Sequence, residues 1–247
     1  MIPRYLTALP VFNEVEHVDG VLDEVLRYCD DVVVIDDGST DGTAERLAAR
    51  DDIRVVTHDP NRGYGAALKS AFDFALAEGY EVIVTIDCDG QHEPKRIPQF
   101  VAELMETGTD IVSGSRYLEV FEHDSRPPEQ RRAINERITA QLNDLLKLNL
   151  TDAFCGFKAY RVEPLRDLKL TEAGYGMPLE LWVQAVCHEF RIVETAVPLI
   201  YLDEKRSFGG SLDDAERRYE YYQTVLNAAL EALPQPCRGS VGGNDVG

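Results

Sequence analysis

Four short stretches of this chain carry residue types and spacings suited to chemistry. The sharpest is Asp87-Cys88-Asp89-Gly90-Gln91-His92, which directly follows the hydrophobic run Val82 to Ile86. In an extended segment residues i and i+2 point the same way, so Asp87 and Asp89 converge. Two carboxylates at a strand tip can hold Mg²⁺ or Mn²⁺, hard ions that take oxygen ligands and keep positions open for phosphates. Gln91 and His92 could complete the shell, though His92 by itself reads equally as a surface histidine.

The second stretch is Asp36-Asp37-Gly38-Ser39-Thr40-Asp41-Gly42-Thr43. Adjacent carboxylates repel one another, so a donor group or a cation must compensate them. Asp36 and Asp37 are placed to hydrogen-bond a base or ribose, while Asp41 and Thr43 suit the start of the next helix. The third is Asn61-Arg62-Gly63-Tyr64-Gly65-Ala66-Ala67-Leu68-Lys69. Its glycines would let backbone approach a phosphate at a helix start, with Gly63 and Lys69 on the ligand. It has neither the Walker lysine pattern nor the full dinucleotide fingerprint. The fourth, Pro10-Val11-Phe12-Asn13-Glu14, reads either as a capped helix start or as part of a pocket.

The elements that must position these loops are legible in the periodicity. Arg4 to Leu9, Asp31 to Asp36, Ile53 to Thr57, Val82 to Ile86 and Asp110 to Ser113 read as strands. Helical stripes separate them, such as Val18, Val21, Leu22, Val25 and Leu26, or Ile97, Phe100, Val101, Leu104 and Met105. Strand alternating with helix predicts an α/β fold, a Rossmann-like mostly parallel sheet with helices on both faces. Ligands of such sheets bind beyond the carboxyl ends of the strands, where all four stretches lie. After Arg116 the pattern loosens. Glu119 to Pro128 reads as a loop, Ile134 to Leu146 as a helix, Gly156 to Tyr160 as a short strand, Leu181 to Val186 as a helix and Asp213 to Leu233 as a last helix.

The 247 residues suit one domain, here 1–233, and the Gly, Pro and Ser rich tail 234–247 is expected to be disordered. A formal net charge of -19 argues against nucleic acid as a partner, because phosphate-backbone binding needs a surplus of Lys and Arg. No apolar run approaches the roughly 20 residues that a membrane helix needs. The start Met1-Ile2-Pro3-Arg4-Tyr5 lacks a signal-peptide layout. The five cysteines are scattered and form no C-x-x-C pair, so a disulfide framework is not expected and a cytoplasmic, reducing location is.

Taken together and in this order, the four stretches resemble the family 2 glycosyltransferases of GT-A fold, and most of all the polyprenyl-phosphate sugar transferases. The likeness runs from about residue 4 to 212. Gly114-Ser115-Arg116, Asp152-x-x-Cys155-Gly156-Phe157-Lys158 and Arg206-x-x-Gly209-x-Ser211 match further family motifs. The resemblance implies a nucleotide-sugar-binding half, 1–116, and an acceptor-side half, 117–233. It implies that Pro10, Glu14, Asp36 and Asp37 line the base and ribose pocket, and that Asp87 faces the ribose and donor sugar. Asp89 and Gln91, with Asp87, would hold Mg²⁺ or Mn²⁺. Arg206 and Ser211 would belong to a loop closing over the donor diphosphate, and Arg116 and Arg131 would face an acceptor phosphate. Two departures stand out. Leu212 follows Ser211 where the family usually has lysine, and no membrane helix follows the catalytic region.

What the resemblance implies is inverting transfer of a hexose from a GDP-mannose or UDP-glucose type donor to a polyprenyl phosphate. A phosphate acceptor is already ionised and needs no base, whereas a saccharide hydroxyl does need one. Asp152 and Glu180 are the candidate bases. A hydroxyl-directed transferase and a nucleotide-sugar-binding module without turnover are the competing readings. A sugar-nucleotide pyrophosphorylase would need a glycine-rich, arginine-bearing N-terminal loop that is absent. Peripheral membrane contact through the helix Ile134 to Leu146 is the alternative to that helix's stripe being core.

Overall fold

The structure, a computed structural model, describes residues 3–201, 210–234 and 237. Arg206 and most of the tail 234–247 lie outside the described residues, and so does the side chain of Ser211. Seven strands form one sheet: β1 (Tyr5–Val11), β2 (Val32–Asp36), β3 (Arg54–Thr57), β4 (Val82–Thr85), β5 (Ile111–Ser115), β6 (Lys158–Arg161) and β7 (Ile192–Ala196). Their spatial order is β3-β2-β1-β4-β6-β5-β7. All pairings are parallel except those of β6, which runs antiparallel to both β4 and β5.

The helices are α1 (Val18–Val25), α2 (Thr43–Ala48), α3 (Tyr64–Ala77), α4 (Ile97–Thr107), α5 (Glu129–Leu146), α6 (Val162–Leu165), α7 (Met177–Cys187) and α8 (Ala215–Ala232). Neighbouring residues of each central strand serve opposite faces. Val33, Ile35 and Ile83 pack under α3, α5, α7 and α8, while Val32, Val34, Val82 and Val84 pack under α1 and α4. Burial on both faces is why these strands read as unbroken β-branched runs rather than alternating ones. The largest fully buried side chain is Trp182 of α7, and its indole N–H donates to Ala153 O at 2.9 Å.

One open alternative closes and two expectations change. The apolar stripe of α5 faces inward: Ile138, Leu142 and Leu146 are buried in the core under the sheet. It leaves no apolar face for a lipid, so α5 is not the membrane contact. Cys187, at the end of α7, is disulfide-bonded to Cys237, 50 residues on, because the ends of α7 and α8 pack together. Scattered cysteines therefore give no ground here for assigning a reducing compartment. Cys29, Cys88 and Cys155 are free and buried. The insertion of β6 between β4 and β5 was also not foreseen. No described helix is long and apolar enough to cross a membrane.

Candidate active site

The chain leaves β1 toward β2 on one side and returns to β4 on the other, so the sheet has its switch point between β1 and β4. A cleft of about 420 Å³ opens beyond the carboxyl ends of these strands. Its lining includes Pro10, Glu14, Asp37, Gly63, Asp87, Asp89, Gln91 and Arg116 from the first half, and Arg131 and Arg218 from the second. The cleft wall thus combines a group of carboxylates with a group of guanidiniums.

The carboxylate group is held by close packing. Asp87 follows β4 and accepts a hydrogen bond from the Tyr64 hydroxyl at 3.0 Å, with His92 Nε2 at 3.4 Å from its other oxygen. Tyr64 is half-buried on the cleft wall, and desolvation together with the Asp87 charge raises its phenol well above the ordinary range, so it stays a donor. Gly156 lies behind Asp87: a β-carbon there would fall 2.1 Å from Oδ2. Asp89 Oδ1 accepts from the Gln91 backbone N–H at 3.0 Å, which curls the loop into the cleft. His92 is nearly buried against Phe157 and does not line the cleft, so it supports Asp87 rather than facing solvent.

The other donor-side loops are tied to one another. Asp36 accepts from Ser39 N and does not reach the cleft. Asp37 lines the cleft, but its oxygens accept from the backbone N–H groups of Arg62 and Gly63 at 2.9 and 2.8 Å, with His58 Nδ1 at 2.6 Å. Donor groups therefore compensate the adjacent carboxylates, and Asp36 is a loop brace rather than a ligand residue. Gly63 has φ +100 and packs so tightly on Ala173 that a β-carbon would meet its carbonyl at 2.4 Å. The segment at Ala173 by itself requires a glycine here. Lys69 sits in the second turn of α3, half-buried and away from the cleft, so it is not placed as a donor ligand. Asn13 and Glu14 do not cap α1. Asn13 Oδ1 accepts from Thr40 N, and the Glu14 backbone N–H donates to Thr43 Oγ1, which stitches the first loop to the second.

Among the arginines of the cleft, Arg116 makes a bidentate pair with Asp152, Nε to Oδ2 at 2.6 Å and Nη2 to Oδ1 at 2.9 Å. Asn135 Nδ2 adds a third bond to the carboxylate at 2.8 Å. Burial alone would raise the Asp152 carboxyl, but the Arg116 charge and these hydrogen bonds outweigh it and hold it at about 2. A carboxylate of that acidity is a poor proton acceptor, so Asp152 positions Arg116 instead of acting as a base. Glu180 is no better placed. It is buried in the first turn of α7, where its oxygens accept from Thr171 N, Thr171 Oγ1 and Glu172 N, each at 2.8 Å, and it is absent from the cleft wall. Both proposed bases are thus engaged in internal hydrogen bonds and absent from the cleft wall.

Arg131 donates to the Tyr201 hydroxyl, and Arg218 Nη1 donates to Leu212 O at 2.7 Å. Burial lowers the Arg218 guanidinium from its usual range, and repulsion from Arg131 adds to it. The sequence reading missed Arg218, Tyr64 and the role of Gly156. A signal for Arg218 existed: it occupies the buried stripe of α8 with Tyr222, Val225, Leu226 and Ala229, where an arginine is out of place.

The sequence profile of Glycosyl transferase family 2 matches residues 7–169. The undecaprenyl-phosphate mannosyltransferase of Micrococcus luteus is 33% identical over 223 residues, which cover 86% of this chain and 90% of that protein. The polyprenol monophosphomannose synthase of Mycolicibacterium smegmatis is 32% identical over 82% of this chain and 78% of its own length. Among solved structures, glucosyl-3-phosphoglycerate synthase from Mycobacterium tuberculosis, in complex with Mn²⁺, UDP and glucosyl-3-phosphoglycerate, superposes with a TM-score of 0.71. That match covers 94% of this chain and 82% of the other at 20% identity, a likeness of fold alone.

Proposed function

The chain belongs to glycosyltransferase family 2 and has the GT-A fold; from that premise we propose that it transfers a hexose from a nucleotide-sugar, of GDP-mannose or UDP-glucose type, to a polyprenyl phosphate, with inversion and with a divalent metal. The donor occupies the half 1–116 and the acceptor the half 117–233. One observation carries the acceptor assignment. Arg116, Arg131 and Arg218 line the same cleft as Asp87 and Asp89, and neither acidic candidate base is free to take a proton. Arginines suit an ionised phosphate, which needs no base, whereas a hydroxyl acceptor needs one. The named relatives from Micrococcus luteus and Mycolicibacterium smegmatis support the same acceptor class.

Asp87, Asp89 and Gln91 offer only oxygen donors, from carboxylates and an amide, to one cleft wall. Among the described residues no three His, Cys, Asp or Glu side chains gather into a complete ligand set. A partial oxygen shell fits Mg²⁺ or Mn²⁺, which retain places for waters and substrate phosphates. When bound there, the ion would neutralise the negative charge that builds on the departing diphosphate. Tyr64 and His92 fix Asp87 toward the donor sugar. Asp152 aims Arg116 at the acceptor, and Arg131 and Arg218 hold the phosphate so that an oxygen meets the anomeric carbon opposite the leaving group. Arg206 and Ser211 would close over the diphosphate.

The test is to incubate the protein with labelled GDP-mannose or UDP-glucose, Mn²⁺ and a polyprenyl phosphate, and to follow label into the organic phase. Acid-labile lipid-linked sugar from one donor is the expected product. Label that passes only to added saccharides, or only to water, would overturn the acceptor assignment.

A further inference from the structure

The segment just after Arg116 holds two outward apolar side chains near the cleft. Val120 is 94% exposed and Leu118 is 44% exposed. Isolated exposed apolar residues are ordinary on protein surfaces. These two differ because the chain is pinned on either side of them. The Tyr117 N–H donates to Ser115 Oγ at 3.2 Å, and Arg116 is locked on Asp152. On the other side the Phe121 N–H donates to Asp124 Oδ2 at 2.8 Å, and the Arg96 guanidinium lies 5.1 Å from the Phe121 ring centre. Asp124 and Ser125 bond in turn to the backbone of Leu199 and Tyr201. Leu118 and Val120 are therefore held out by a braced loop whose base, Arg116 and Tyr117, lines the cleft.

The charge around this loop also departs from the rest of the chain. Segment 116–137 has five arginines against five carboxylates, whereas the chain as a whole carries -19. Exposed charges more than about 10 Å apart are largely screened at 0.1 M salt, so local balance governs what a surface can approach. With Arg116 paired to Asp152 and Glu119 and Glu122 exposed beside the tip, this segment stays slightly acidic, yet Arg126, Arg131 and Arg132 make it far less repelled by a negatively charged bilayer than the chain as a whole.

We propose that Leu118 and Val120 seat this face on a lipid bilayer, with the arginines of the cleft turned to the headgroups. This rests on the polyprenyl phosphate reading: such an acceptor keeps its chain in the bilayer, so its phosphate is met at the surface. The interfacial contact is a short apolar finger and not the helix α5, whose stripe is already in the core.

Sedimentation with phosphatidylcholine vesicles containing a minor share of phosphatidylglycerol, and no acceptor, tests the surface directly. Wild type pellets with the vesicles, and the double variant Leu118→Glu/Val120→Glu loses at least about fivefold in bound fraction, since both apolar contacts are replaced by charges that the interface rejects. The same variant slows on polyprenyl phosphate embedded in vesicles but keeps the wild-type rate on a short, water-soluble prenyl phosphate, which also shows that it is folded. Val120→Trp strengthens vesicle binding. Equal sedimentation of wild type and double variant, no sedimentation of either, or a change in oligomeric state on mutation without vesicle binding would each overturn the proposal. If neither protein uses the short acceptor, the polyprenyl phosphate reading fails, and acceptor-free sedimentation still decides whether the finger binds lipid.

Discussion

Gly156 stands so close to the Asp87 carboxylate that a β-carbon would fall 2.1 Å from one oxygen and 2.6 Å from the other. Its own carbonyl accepts from Thr85 Oγ1 at 2.8 Å, so the backbone cannot easily withdraw. Gly156→Ala is expected to displace Asp87 and to cost about 1–3 kcal/mol of stability through overpacking. Titration calorimetry with the donor nucleotide and Mn²⁺, beside a melting curve, measures both effects. Unchanged nucleotide binding in a folded variant would mean that the position of Asp87 does not matter to the donor.

The Arg116–Asp152 pair makes a pH prediction. With the folded carboxyl at about 2 and an unfolded value near 3.9, the pairing stabilises the fold fully above about pH 4. It is lost as pH falls through the folded value. Asp152→Asn should lower stability at neutral pH and flatten its decline below about pH 4, read from melting temperatures across pH. The variant's transfer rate should fall with no change in the shape of its profile from about pH 5 to 8. Loss of an acid limb in that window would instead make Asp152 a base.

Arg131→Ala and Arg218→Ala should act on the acceptor and spare the donor. Hydrogen bonds to charged groups are worth about 1.5–3 kcal/mol, or roughly a 10–100-fold rise in acceptor KM. Nucleotide affinity, measured by calorimetry, should hold. A matching loss of nucleotide affinity would place these arginines on the donor diphosphate.

Removal of divalent ions by chelation should abolish transfer, and Mn²⁺ or Mg²⁺ should restore it. Asp89→Ala should bind GDP or UDP with an affinity that no longer responds to the ion, as calorimetry would show. Persistent stimulation by metal in that variant would move the ion elsewhere.

Thiol titration of the denatured protein should find three thiols before reduction and five after it, from Cys29, Cys88 and Cys155 with or without the Cys187–Cys237 pair. Five thiols before reduction would show the bridge open in the purified protein.

The donor wall was readable in advance because its parts are local. β-branched runs end in polar loops, and in parallel sheets those loops face the ligand. The roles of acids proved less readable. Asp152 and Glu180 look alike as candidate bases along the chain, yet Arg116 lies 36 residues from the first, and backbone donors at Thr171 and Glu172 engage the second. A carboxylate's chemistry depends on partners that spacing does not reveal. The same holds for Arg218, delivered from α8, and for Cys187, whose partner lies 50 residues away. The strand β6 was recognisable as a strand, but four residues say little about which neighbours they will join.

The position of β6 has a consequence for how the protein comes into being on the ribosome. It pairs with β4 on one side and β5 on the other, and β4 and β5 do not pair directly. Until Lys158–Arg161 have emerged, β4 keeps a bare edge and β5 has no neighbour in the sheet. All four donor-side loops will by then have been synthesised, Asp87 among them, yet the glycine that backs Asp87 arrives only with the approach to β6. Every nascent chain therefore passes through a stage in which the donor residues exist without a donor site, and residues from the second half bring that stage to an end.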